Sequence, residues 1–171
     1  RNKRIVMLFS YIFCISLIYH AVQQWLGVYF SIQLNLNQFV ISMLITLTSL
    51  AGIFGEVGGG RLADSLGRKR VVNLGICSMA LCIFLLLLKL PLGLLALVMV
   101  IWGLGWTFNH VGLSTMLTDL PAELLNEAAS LNSAVRFISG GLGVYLGGLL
   151  MRKSFVLGFS VFGFGLLVLL L

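Results

Sequence analysis

Four ionisable side chains lie within long apolar stretches of the sequence, where they could move protons or hold a charged ligand. They are His20, Glu56, His110 and Arg136. Charged groups in such segments are costly and therefore mark candidate functional sites. Imidazoles titrate near neutral pH, whereas Arg136 keeps its charge and requires a carboxylate, water or an anionic ligand. These residue types suggest ion coupling or substrate binding, and for Glu56 a structural ion pair is the alternative.

Enzyme chemistry is not indicated by any pattern in the sequence. We find no metal-ligand cluster, activated nucleophile or pair of facing catalytic carboxylates. We therefore expect no enzymatic activity, no bound metal and no cofactor. Cys14, Cys77 and Cys82 lie inside apolar segments, where a thiol behaves as a small hydrophobe, and we expect no disulfide.

The composition indicates that these residues are carried by membrane-spanning helices. The chain has 171 residues, of which 60% are hydrophobic and 9% charged, and its mean hydropathy is +1.10. A water-soluble single domain is excluded by these values. The formal charge of +6 could suggest nucleic acid, but the basic residues cluster at predicted helix ends, which favours a membrane. We predict an all-α, polytopic membrane protein that does not bind nucleic acid.

The length accommodates roughly six spans at about 20 residues each, forming one bundle over residues 1–171. The predicted spans lie at about residues 5–30, 39–62, 71–90, 94–118, 124–151 and 155–171. The first follows a basic start, but its apolar run is too long for a signal peptide and lacks a cleavage site. The third is nearly featureless, and we expect it to face lipid.

Two spans carry uncharged polar residues beside the histidines. Gln23 and Gln24 share a face of span one with His20, and Asn109 precedes His110 in span four. Such residues can line an aqueous cavity, which would make all five candidate substrate contacts together with Arg136. The alternative is hydrogen bonding and close packing between helices, which the small residues of span four would also permit.

The predicted helix ends give Glu56 and Arg136 a depth in the membrane. At 1.5 Å per residue, Glu56 lies roughly 9 Å from the inner end of span two and Arg136 roughly 15 Å from that of span five. Both belong to the same half of the bilayer. We hypothesise that they face each other or share water in a cavity, with Glu56 as the candidate coupling residue.

A charged, glycine-punctuated segment separates spans two and three, and we expect it to form a turn. It matches the spacing G-x-L-A-D-x-x-G-R-K-R at Gly60, Leu62, Ala63, Asp64, Gly67, Arg68, Lys69 and Arg70. This pattern resembles the cytoplasmic signature loop of the major facilitator superfamily of secondary transporters, although Ser65 stands where that family commonly has a basic residue. The resemblance implies a latch whose breakage opens the cytoplasmic side. The acidic second link suggests pairing between Asp119, Glu123 or Glu127 and the Arg68–Arg70 run.

The resemblance also implies a function. Family members move a small solute by rocking two six-helix bundles about a cavity, so this chain resembles one half. We favour the C-terminal half, because span four lacks the Arg that first halves often carry, with a natural six-span subunit as the rival. Residues 139–148 resemble the glycine-rich antiporter pattern but depart from it at Ser139 and Val144. Proton-coupled efflux is an extension of this hypothesis, and a non-transporting membrane assembly or scaffold subunit is the alternative.

Basic residues predict the orientation, since they are retained on the cytoplasmic side. Those at predicted inner ends are Arg1, Lys3, Arg4, Arg61, Arg68, Lys69 and Arg70, against Lys89, Arg152 and Lys153 outside. We expect a multi-pass protein of the plasma or inner membrane with both termini cytoplasmic. Its expected partners are a small-molecule substrate, the lipid bilayer and a second six-helix bundle, either the missing half or a second copy.

Overall fold

The computed structural model describes residues 2–170 of the chain, apart from the side chains of Asn2 and Arg4. The predicted contributions of Arg1 and of the Arg4 side chain to the orientation, and the last residue of predicted span six, lie outside this part. Within it the chain forms six α-helices, a short 3₁₀ helix and no strand, which confirms the all-α prediction. The helices are α1 (Asn2–Ile32), α2 (Gln38–Leu66), α3 (Arg68–Leu85), α4 (Leu92–Leu117), α5 (Leu125–Met151) and α6 (Phe155–Val168), with the 3₁₀ helix at Ala122–Leu124.

Four segments of the described chain are long and apolar enough to cross a membrane, and they correspond to α1, α2, α4 and α5. The helix α3 is shorter, and the described part of α6 is shorter still. The helix α2 begins at an N-cap, where Asn37 Oδ1 accepts a hydrogen bond from the Val40 backbone N–H at 3.0 Å. Pro91 precedes α4, because proline is tolerated at a helix start but not inside one.

The corner between α2 and α3 is tighter than the sequence predicted. We expected a turn over residues 60–70, but α2 continues to Leu66 and α3 begins at Arg68, so Gly67 is the single non-helical residue. Its φ of 92° lies in the left-handed region, which glycine adopts without a side-chain clash. The end of the bundle that carries this corner and the α4–α5 link is called the Gly67 end below.

Substitution of Gly67 by alanine should destabilise the protein by about 1–2 kcal/mol, because a Cβ is strained at this backbone conformation. Gly60→Ala is the matched control. Gly60 is helical, and a Cβ there would meet nothing within 4 Å, so helix propensity alone should stabilise that variant by about 0.5–1 kcal/mol. Thermal unfolding in detergent measures both changes, and equal midpoints for the two variants would contradict the argument.

The helices α1, α2, α4 and α5 form one side of the bundle, which we call the front. They are arranged as two pairs, and within each pair the two backbones are in direct contact. In the pair α2·α4, Gly103 lies against the carbonyl of Thr48, and in the pair α1·α5, Gly143 lies against the carbonyl of Leu17. Small residues permit such close approach between membrane helices, where van der Waals packing supplies much of the association energy. We call these two contacts the glycine seams.

The helices α3 and α6 lie behind the two pairs. We expected span three to face lipid, but α3 packs against both α4 and α6, and it buries Val72, Ile76, Met79 and Ile83 completely. Its other face is exposed along the apolar part of the helix, at Leu74, Cys77 and Leu81. The sequence did not reveal the packed side of α3, because an evenly apolar helix gives no periodic signal that separates a protein-facing side from a lipid-facing side.

Candidate functional site

Ionisable residues from the two front pairs meet in one cavity of about 280 Å³. We call it the polar cavity, and its lining residues are His20, Glu56, Trp106, His110, Ser133, Arg136 and Phe137. The pair α1·α5 supplies His20, Ser133, Arg136 and Phe137, and the pair α2·α4 supplies the others. A second cavity of about 520 Å³ adjoins it, because Glu56 and Trp106 line both. All four ionisable residues singled out in the sequence therefore lie together.

Glu56 pairs with His110 across the α2·α4 contact. The carboxylate Oε1 lies 3.6 Å from the imidazole Nδ1, and the two side chains are 58% and 36% exposed. An exposed pair of this kind contributes little stability. Its position at the open side of the cavity leaves the carboxylate accessible to water or to a ligand.

Arg136 is held by its own helix and by an aromatic ring. Its Nε donates a hydrogen bond to Asn132 Oδ1 at 3.0 Å, and its guanidinium carbon lies 5.8 Å from the centre of the Trp106 ring, a cation–π distance. Its Nη2 is buried without a hydrogen-bond partner among the described residues. The guanidinium is therefore oriented but incompletely hydrogen-bonded.

Glu56 and Arg136, which we hypothesised to face each other or to share water, line the same cavity, but no ion pair joins them among the described residues. The ion pairs among the described residues join Glu56 to His110 and Arg68 to Asp119. We expected Glu56 to be shallower, because α2 was predicted to end near residue 62. Since α2 continues to Leu66, Glu56 lies about 15 Å from the end of its helix, which is similar to the distance of Arg136 from the start of α5.

An aromatic stack forms the wall between the two cavities. Tyr19 stacks on Trp106 with 3.9 Å between ring centroids and on Trp102 with 5.5 Å. His20 meets the edge of Trp106 at 5.7 Å, and its Nδ1 donates to the Ser16 carbonyl at 2.7 Å, which fixes the ring. Trp106 was not among the predicted cavity residues, although its position four residues before His110 on the same helix was the available signal.

The other predicted cavity residues divide between two roles. Gln23 Oε1 accepts a hydrogen bond from Trp102 Nε1 at 2.7 Å, so it joins α1 to α4. Gln24 is exposed. Asn109 does not enter the cavity: it is fully buried, donates to the Gly105 carbonyl at 2.9 Å and lies 3.4 Å from Met79 Sδ. For Asn109 the packing alternative is therefore correct.

The signature segment makes the expected contact with the second link. Arg68 forms an ion pair with Asp119. The Arg68 side chain is 34% exposed and the Asp119 side chain is 53% exposed. Asp64, Lys69 and Arg70 are exposed, and Gly60 is half-buried inside α2. This pair joins the start of α3 to the end of α4 at the Gly67 end.

The long apolar helices and the charged cavity between them define a polytopic helical membrane protein. Residues 1–144 match the family model of the Major Facilitator Superfamily. The chain therefore belongs to the major facilitator superfamily, a family of membrane transporters, and the resemblance seen in the sequence is confirmed. A search of curated protein sequences found no match. Among the described residues no cluster of three or more His, Cys, Asp or Glu side chains could hold a metal ion.

Proposed function

We propose that the chain moves a small solute through the polar cavity by alternating access. The observation that carries this proposal is the convergence of Glu56, His110 and Arg136 from three helices on one open cavity. Charged side chains within membrane helices are retained where they face water, protein or substrate. Protons could travel with the solute through the Glu56–His110 pair, because a carboxyl group and an imidazole can both bind and release protons and the two lie 3.6 Å apart in the cavity.

The proposed transporter requires a second bundle against the front face. The helix α2 exposes Ser42, Thr46, Ser49 and Glu56 along one face, and the exposure of such polar groups to lipid is unfavourable. Either a further half of the protein or a second copy of this chain would cover it. The C-terminal half remains our prediction for the identity of the chain, with a natural six-span subunit as the rival.

The orientation belongs to the same proposal. The Gly67 end carries Arg61, Arg68, Lys69 and Arg70, and basic residues beside short links favour the cytoplasmic side. In this orientation the Arg68–Asp119 pair acts as the cytoplasmic latch, and both termini are cytoplasmic. The proposed location is the plasma or inner membrane.

Two-sided accessibility of the cavity tests the proposal. Ser133 is exposed and lines the polar cavity, so Ser133→Cys should react with a membrane-impermeant thiol reagent from either face of oriented vesicles. Cys14 and Cys77 are replaced by Ser beforehand so that they do not react with the reagent. Cys82 is kept, because it is buried. Asp119→Asn should speed labelling from the Gly67 side and slow it from the other by about two- to fivefold, the effect of losing a partly exposed ion pair.

Leu81→Cys in the same background is the control, because Leu81 is exposed on α3, away from the front face. It should stay unlabelled from both sides, because the exposed face of α3 is predicted to face lipid, which a membrane-impermeant reagent does not enter. Labelling of Ser133→Cys from one side only, with no effect of Asp119→Asn, would contradict alternating access. That result would favour the non-transporting assembly or scaffold subunit, for which the glycine seams suffice.

A further inference from the structure

We propose that the polar cavity selects a small organic monoanion with a flat apolar body, whose carboxylate is bound by Arg136. This inference rests on the proposed function, since it names the substrate class of the same cavity. It is carried by the distribution of charge and by the shape and composition of the wall.

The charges leave Arg136 without a counterion. The chain has five acidic residues, of which Asp64, Asp119, Glu123 and Glu127 lie at the Gly67 end and Glu56 alone lies in the cavity. Glu56 is paired with His110. The hydrogen bond of the Arg136 side chain goes to the neutral amide of Asn132. A positive group in a membrane therefore faces the cavity without a carboxylate of the protein beside it.

One nitrogen of the guanidinium also lacks a hydrogen-bond acceptor. Its Nη2 is buried and unpartnered among the described residues, and a buried donor without an acceptor is costly. A carboxylate supplies two acceptors in the planar arrangement that matches a guanidinium. An amine or a neutral amide cannot supply both the opposite charge and the paired acceptors.

The aromatic lining of the polar cavity determines which shape of ligand fits beside the carboxylate. The cavity is lined by Trp106, whose ring centre lies 5.8 Å from the guanidinium carbon, and by Phe137, which is 82% exposed, so a flat apolar group beside the carboxylate would contact the Phe137 ring. The cavity volume of about 280 Å³ is close to the lower limit for small-molecule sites, about 300 Å³. Glu56 across the cavity repels a second negative charge, which favours a monoanion over a dianion.

Three probes of similar shape and different charge test the proposal: benzoate, benzamide and benzylamine. Isothermal titration of each into the protein in lipid nanodiscs, with empty nanodiscs as reference, should show benzoate binding at least about tenfold more tightly than the other two. Failure of benzoate to bind at millimolar concentration, or tighter binding of benzylamine, would overturn the anion assignment. Neither result requires a variant, so the test does not depend on mutant folding.

Variants then locate the binding group. Arg136→Gln should weaken benzoate binding by at least about tenfold, whereas Arg136→Lys should keep the preference for benzoate over benzylamine. Arg152→Gln is the matched control, because Arg152 lies 6.0 Å from the Trp25 ring in a similar arrangement at the opposite end of the bundle. Equal benzoate affinity in Arg136→Gln and Arg152→Gln would place the anion elsewhere and overturn the assignment.

The failure of this inference is separable from the failure of the proposed function. Two-sided labelling of Ser133→Cys without benzoate binding would reject the substrate class and leave alternating access standing. Benzoate binding that depends on Arg136, with labelling from one side only, would identify an anion-binding membrane subunit that does not transport.

Discussion

Substitution of Gly103 or Gly143 by alanine should lower the free energy of unfolding by about 3 kcal/mol, toward the upper end of overpacking effects. A Cβ at Gly103 would overlap the Thr48 carbonyl, and one at Gly143 would overlap the Leu17 carbonyl. Both obstacles are backbone atoms, which cannot rotate away as a side chain can. The helices of each pair would have to separate along the seam. Denaturant titration in mixed micelles, followed by circular dichroism, measures the change.

The matched controls are Gly58→Ala in α2 and Gly141→Ala in α5. A Cβ at either position would meet nothing within 4 Å. These variants should gain about 0.5–1 kcal/mol from helix propensity. If all four alanine variants shift stability alike, the glycines act through backbone flexibility, and the seams do not hold the pairs together.

Truncation of Trp102 to alanine should cost about 3–5 kcal/mol of unfolding free energy. Trp102 is 1% exposed and is among the largest fully buried side chains. Its removal leaves a cavity between α4 and α1, and it leaves Gln23 Oε1 without the indole donor 2.7 Å away. The same denaturant titration reports the loss.

Phe54→Ala is the control for Trp102→Ala, because Phe54 is an aromatic residue on α2 that is 75% exposed. It should change stability by less than about 0.5 kcal/mol. Trp102→Phe should fall between the two, since it keeps most of the ring and loses the hydrogen bond. A loss in Trp102→Ala no greater than in Phe54→Ala would show that α1 and α4 do not depend on this contact.

The sequence was sufficient for the helices and their membrane character, because hydropathy and length carry those signals directly. It was insufficient for the bounds at the signature segment. Charged residues and glycines suggested a turn from Gly60 onward, yet the helix α2 continues through Arg61 and Asp64 to Leu66. A helix need not stop at the membrane surface, where exposed charges meet water. The one obligatory break is Gly67, whose positive φ only the structure reveals.

The sequence also indicated which residues of the cavity were polar, but not which of them meet. Asn109 and His110 are neighbours on one helix and point about 100° apart, because a helix has 3.6 residues per turn. Consequently Asn109 is buried beside Met79 of α3 and His110 faces Glu56. Periodicity within one helix defines its faces, while the rotation of each helix against its neighbours depends on packing across the bundle. For the same reason Gln23 bonds Trp102 in place of a ligand.

The glycine seams make each front pair a rigid unit, since no side chains lie between the contacting backbones that could rearrange. The pair α1·α5 contacts the pair α2·α4 through side chains, notably the Tyr19–Trp106 stack and the Gln23–Trp102 hydrogen bond. Arg136 belongs to the pair α1·α5, and Glu56 and His110 belong to the pair α2·α4. A displacement of one pair relative to the other would change the distance between the Arg136 guanidinium and the Glu56 carboxylate without changing the shape of any helix. In the proposed transport cycle, such a displacement would change the width of the polar cavity together with the separation of its charges.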